Sequence, residues 1–169
     1  SRDGTLPEAL NSFRPQAGEG VEIVPGTLHT AQGLLVLEVQ ESCDITYRVY
    51  DYGRGRGELH LDQARRCLEL TGTVGSPPRD TGWADGGSER RSVAPKSPFE
   101  FLAVQLRAGE EFDLGPEGCL RLLVVLEGQL EVPGFVAGPT EAIVLPASWS
   151  GTGRAKTPVR LGYAAARPS

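Results

Sequence analysis

The last third of the chain is a series of short apolar runs, at residues 99–106, 119–126, 129–132, 142–146 and 159–164, separated by turn-forming residues. Short strands at that spacing predict a small antiparallel barrel or jelly roll. Gly and Pro, 22 and 13 of 169 residues, supply the punctuation and weigh against a helix bundle. Glu127-Gly128 predicts a tight hairpin between two of the runs. The inward positions of 119–126 and 142–146 are expected to be Leu, Val and Ile, filling the barrel with side chains. Residues 99–169 contain no His, and Glu110, Glu111, Asp113, Glu127 and Glu131 fall mostly at turns or strand ends. This part is therefore expected to bind neither metal nor ligand and to act structurally.

Upstream, the patterns are more varied. Leu6, Leu10 and Phe13 share one helical face over 6–13, with Pro7 suited to the first turn. Val21 and Ile23 alternate in a strand over 18–24, and Pro25-Gly26 turns the chain. Residues 34–40 form an apolar run broken by one Glu, and 46–50 are β-rich. Residues 58–70 predict a helix, with Gly72 as its stop. Residues 71–98, rich in Gly, Pro and Ser, read as a linker or surface loop in which Trp83 is a candidate pin. The expected organisation is thus 1–70, linker 71–98 and a second β unit 99–169.

Charge and composition exclude several classes of partner. A net charge of -5 argues against nucleic acid and anionic membrane. No apolar run approaches the roughly 18–20 residues that span a bilayer, and no secretory leader pattern opens the chain. Cys43, Cys67 and Cys119 are odd in number without a CxxC pair, which fits reduced thiols in the cytoplasm. There is no Met and the chain begins at Ser1, so it is expected to be part of a longer polypeptide.

The residues able to do chemistry concentrate between 18 and 60: His29, Glu38, Asp44, Arg48, Asp51, Arg54, Glu58 and His60. His29, held after a Pro-Gly turn, is either a metal ligand at a barrel rim or a surface histidine. Glu38, flanked by Leu37 and Val39, faces away from them, toward either a cavity or solvent. Arg48 suits an anionic oxygen, or an ion pair with Asp44 or Asp51. Arg54 and Arg56 lie among glycines and could grip phosphate. His60, at a helix start, reads as a cap or core residue ahead of a ligand.

Residues 18–66 resemble the C-terminal signature of type I mannose-6-phosphate isomerases, zinc enzymes of the cupin superfamily. The matching pieces are the glycine, Val-Pro-Gly and histidine at 18–29, LLVLEVQ at 34–40, SCDITYRVYDYGR at 42–54 and ELH at 58–60. The stretch matches almost without gaps, whereas 1–17 and 99–169 fit more loosely. The resemblance implies an all-β fold of cupin jelly-roll units, one partial and one C-terminal, with one or two short helices. It implies that His29 is a zinc ligand, Glu38 and Arg48 are active-site residues, and Arg54 lies near the sugar phosphate. The implied reaction interconverts mannose 6-phosphate and fructose 6-phosphate through a zinc-assisted enediol. The family's Gln-x-His ligand pair is absent here, as no Gln has a His two residues on. The other zinc ligands are thus expected in a missing N-terminal portion, with this chain inactive alone. The alternative is a non-catalytic cupin that binds sugar or serves assembly.

Overall fold

The computed structural model describes residues 5–55, 57–69, 82–114 and 118–166. The chain divides into two compact units, Ser1–Pro15 with Ile23–Pro77, and Gln16–Glu22 with Pro78–Ser169. No helix among the described residues is long and apolar enough to cross a membrane.

The second unit holds the strands. They are β1 (Glu89–Ser92), β2 (Phe99–Leu106), β3 (Glu111–Asp113), β4 (Arg121–Glu127), β5 (Leu130–Val132), β6 (Phe135–Ala137), β7 (Ala142–Leu145), β8 (Thr152–Ala155) and β9 (Val159–Ala166). They form two antiparallel sheets, ordered β1-β2-β9-β4-β7 and β3-β8-β5-β6. From β2 onward the chain passes repeatedly from one sheet to the other, and the last strand lies between β2 and β4. That is the strand order of a jelly roll. The longest pairing joins β2 to β9, in register from Phe99↔Ala166 to Leu106↔Val159.

The core lies between the sheets. Val104, Phe112, Leu114, Leu123, Val125, Leu130, Val159 and Leu161 are buried, and Tyr163 meets Phe112 edge to face at 5.6 Å. Fully burying an aliphatic side chain of this size contributes about 1.5–3 kcal/mol. In β4 the inward set is Arg121, Leu123 and Val125, so the expectation of Leu, Val and Ile alone is corrected. Arg121 is fully buried, and its guanidinium donates to the carbonyls of Leu114 (3.0 Å), Pro146 (3.0 Å) and Trp149. The positive charge is thus surrounded by oxygens from the segments that follow β3 and β7.

Two expectations about this unit change. Glu127-Gly128 makes no hairpin, because β4 pairs with β7 and β9 whereas β5 pairs with β6 and β8. Gly128 has φ +80°, and a Cβ there would lie 1.9 Å from the Pro158 carbonyl oxygen, so the chain crosses between sheets through space that only glycine fits. The tight hairpin comes next, at Pro133-Gly134 between β5 and β6. Of the presumed linker, residues 82–98 instead carry β1 and belong to the β unit, while 70–81 lie outside the described residues. Trp83 does pin this stretch. Its ring lies beneath the guanidinium groups of Arg91 (5.5 Å) and Arg160 (5.4 Å). Gln105 adds bonds to the carbonyls of Ala84 and Gly87.

The first unit contains α1 (Leu61–Cys67) and a 3-10 turn at Leu6–Ala9. The helix expected over 6–13 stops early, where Leu10 is already extended. The strands expected at 18–24, 34–40 and 46–50 are absent among the described residues, apart from an isolated bridge at Val21. An extended segment becomes a strand only when a neighbour completes its ladder. Leu34, Leu35 and Val36 are accordingly 48%, 98% and 56% exposed.

Candidate functional site

The candidate residues His29, Glu38, Arg48 and Arg54 lie in the first unit, Glu38 and Arg48 in irregular segments and His29 and Arg54 beside turns. Val24-Pro25-Gly26-Thr27 forms a β-turn closed by Thr27 N–H donating to the Val24 carbonyl (3.2 Å). Pro25 and Gly26 (φ +85°) suit the central positions of a type II turn. The turn docks on the C-terminal end of α1. Glu69 N–H donates to the Gly26 carbonyl (3.1 Å), and a Cβ on Gly26 would lie 2.8 Å from the Cys67 carbonyl oxygen. This also explains why α1 is shorter than the expected 58–70. The Glu69 amide bonds to the turn, and Leu68 is extended.

His29 follows that turn and is exposed, with Nδ1 2.8 Å from the Thr27 carbonyl oxygen. A carbonyl only accepts, so Nδ1 carries the proton and the neutral ring keeps its lone pair on Nε2. That is the tautomer a metal-ligating histidine adopts when its other nitrogen is held by a backbone carbonyl. Glu38 is exposed between half-buried Leu37 and Val39. Arg48 is exposed, and its main chain bonds in both directions to His60. Arg54 closes a turn through Asp51, whose carbonyl accepts from Arg54 N–H (3.2 Å) and whose carboxylate accepts from Gly53 N–H (3.0 Å). Tyr52 (φ +58°) and Gly53 (φ +68°) occupy its centre, and the Arg54 guanidinium lies 5.3 Å from the Tyr52 ring centroid. The described residues include no group of three or more His, Cys, Asp and Glu able to hold a metal. His29 thus offers one nitrogen donor, fewer than the roughly three protein ligands that catalytic zinc takes.

No family model matches the chain. A mannose-6-phosphate isomerase of Streptococcus mutans is 34% identical over 133 residues, covering 75% of this chain and 40% of the relative. The mannose-6-phosphate isomerase ManA of Bacillus subtilis is 32% identical over 81 residues, covering 46% of this chain and 26% of the relative. The chain is related to the mannose-6-phosphate isomerases. It spans about two-fifths of the Streptococcus mutans relative's length. Neither unit alone holds three-quarters of the chain, so that similarity extends into both. Wherever a stretch of that length begins, it takes in Arg48, Arg54 and His60. Among solved structures, a cupin superfamily protein from Desulfitobacterium hafniense superposes with a TM-score of 0.45 at 11% identity, covering 52% of this chain and 84% of that chain. A cupin domain of an XRE-family transcriptional regulator from Enterobacter cloacae gives 0.41 at 16% identity, covering 48% and 98%. The jelly roll is read from the strand order of the β unit itself.

Residue type nominated a cluster of eight residues between 18 and 60, and the family resemblance singled out His29, Glu38, Arg48 and Arg54 among them. Both missed the bond that ties His60 to Arg48. The two lie 12 residues apart with no shared periodicity, so no local signal could have linked them.

Proposed function

We propose that this chain forms the C-terminal part of a zinc-dependent aldose–ketose isomerase that interconverts mannose 6-phosphate and fructose 6-phosphate. The observation that carries the reading is 34% identity to a mannose-6-phosphate isomerase across three-quarters of the chain. The exposed functional groups of the first unit support it. In this reading His29 holds zinc through Nε2, with the remaining ligands supplied by the N-terminal portion of the polypeptide. When bound, zinc polarises oxygens of the sugar.

The reaction moves a proton between C1 and C2 of the sugar and leaves negative charge on an enediolate oxygen. Arg48 stabilises that charge with a guanidinium that never gives up its own proton. Glu38 is a carboxylate able to accept and return a proton. Arg54, held by the Asp51 turn and stacked near Tyr52, binds the phosphate. The 169-residue chain alone binds zinc weakly and is inactive, because one histidine cannot replace the roughly three protein ligands of catalytic zinc. The cytoplasm is the setting of the reaction, in keeping with three free cysteines.

The test uses the full-length polypeptide that contains this chain. His29→Ala should lower its zinc content. Arg48→Ala should leave zinc in place and reduce turnover roughly 10²–10³-fold, as expected on loss of one charge-stabilising donor. Full zinc occupancy in the first variant, or normal turnover in the second, would overturn these roles.

A further inference from the structure

We propose that His60 is the positioning residue for Arg48, fixing its main chain through a reciprocal pair of hydrogen bonds that anchors it to α1. This inference rests on the isomerase reading of Arg48. The Arg48 N–H donates to His60 Nδ1 (3.1 Å), and the His60 N–H donates to the Arg48 carbonyl (2.7 Å). Two bonds running in opposite directions between two residues reproduce a hydrogen-bonded pair of an antiparallel ladder. Here an imidazole nitrogen replaces one of the carbonyls. Residues 46–50 belong to no strand, so the imidazole does for Arg48 part of what a neighbouring strand would do.

The chemistry of the bond defines the state of the ring. A backbone N–H only donates, so Nδ1 must carry a lone pair, and the neutral ring has its proton on Nε2. This tautomer is the reverse of that of His29. The two histidines of the chain are thus set up for different work, His29 offering Nε2 as an acceptor and His60 using Nδ1 to hold a backbone.

His60 is itself well held. It occupies the N-cap position of α1, and its carbonyl accepts from Ala64 N–H (2.9 Å). The His60 ring lies 6.1 Å from the Tyr47 ring, tilted by 60°. At the other end of α1, Glu69 N–H holds the Gly26 carbonyl of the turn that precedes His29. The seven-residue helix, about 10 Å long, therefore braces the segment of Arg48 against the turn of His29. A displacement of about 1 Å in a positioned group can cost roughly 100-fold in rate, so a brace of this kind acts on turnover without touching substrate.

The test compares His60→Asn, His60→Gln and His60→Ala in the full-length polypeptide, with Arg48→Ala and the double variant His60→Gln/Arg48→Ala as references. The Asn side-chain oxygen can stand where Nδ1 stands, whereas the Gln amide reaches toward the place of Nε2. Mannose 6-phosphate turnover and zinc content are measured for each. His60→Gln and His60→Ala should lower kcat roughly 10–100-fold, with KM changed far less and zinc content that of the parent. His60→Asn should stay within a few-fold of the parent, and the double variant should be no slower than Arg48→Ala. If His60→Ala fails to fold, the Asn and Gln variants still decide. Equal rates for Asn and Gln, zinc loss in either, or full turnover in His60→Gln would overturn the positioning role. Normal turnover in Arg48→Ala would instead overturn the reading of Arg48 on which it rests.

Discussion

Replacing Arg121 by Met tests how the jelly roll is held together. Met keeps the apolar stem and removes every donor. Three carbonyls, of Leu114, Pro146 and Trp149, then lose a charged partner. A hydrogen bond to a charged group contributes about 1.5–3 kcal/mol. A simple sum would be too large, because burying a guanidinium has its own desolvation cost, which Met removes. The residues also differ in access to water. Leu114 is fully buried, Pro146 is exposed and Trp149 half-buried. The Leu114 carbonyl should therefore stay dry and uncompensated, while water partly replaces Arg121 at the other two. The expected net loss is about 3 kcal/mol, a large share of the roughly 5–15 kcal/mol that stabilises a domain. For a unit of about 100 residues this lowers Tm by about 12–24 °C. Urea titration followed by far-ultraviolet circular dichroism measures it. A loss under about 0.5 kcal/mol at unchanged m-value would show that Arg121 contributes nothing net and that the carbonyls are satisfied without it.

Gly128→Ala should be severe, costing about 3 kcal/mol or more, because the new Cβ meets the Pro158 carbonyl oxygen at 1.9 Å and the residue has φ +80°. Gly134→Ala has a similar φ of +85° with nothing within 4 Å, so it should cost only about 1–2 kcal/mol, and equal losses in denaturant titration would refute the steric argument. The Tyr163 hydroxyl is pushed above its ordinary value by burial, with the Glu100 charge adding to the shift. The folded chain thus holds this proton more tightly than the unfolded one. That contribution to stability is whole below about pH 10 and is lost as pH rises through the folded value. Tyr163→Phe should therefore flatten the fall in stability above pH 10, and an unchanged slope would contradict it.

The β unit was legible where its strands are long enough to show a pattern. β2 matches its apolar run residue for residue, and β9 runs two residues past the expected end. β3, β6 and β8 have only three or four residues each, too few for a period to emerge. Turn chemistry located Gly128 but could not say which strands the turn joins, since pairing is decided by the whole sheet. Arg121 was illegible for a different reason. Both faces of 120–126 are apolar apart from Arg121, so alternation alone could not show which face points inward. In the first unit, residues 34–40 and 46–50 have strand-like composition without a strand, because a ladder needs a second chain segment. The family resemblance singled out His29, Glu38 and Arg48. The opposite tautomers of His29 and His60 became visible only through the bonds each ring makes.

The most direct test of the account is an assay of sugar-phosphate interconversion by the full-length polypeptide containing this chain. It is supplied with mannose 6-phosphate in one arm and fructose 6-phosphate in the other, before and after chelation of zinc. Each substrate should yield the other, chelation should abolish the reaction and restored zinc should recover it. Absence of interconversion in zinc-loaded polypeptide, or full activity after the metal is removed, would contradict the isomerase reading.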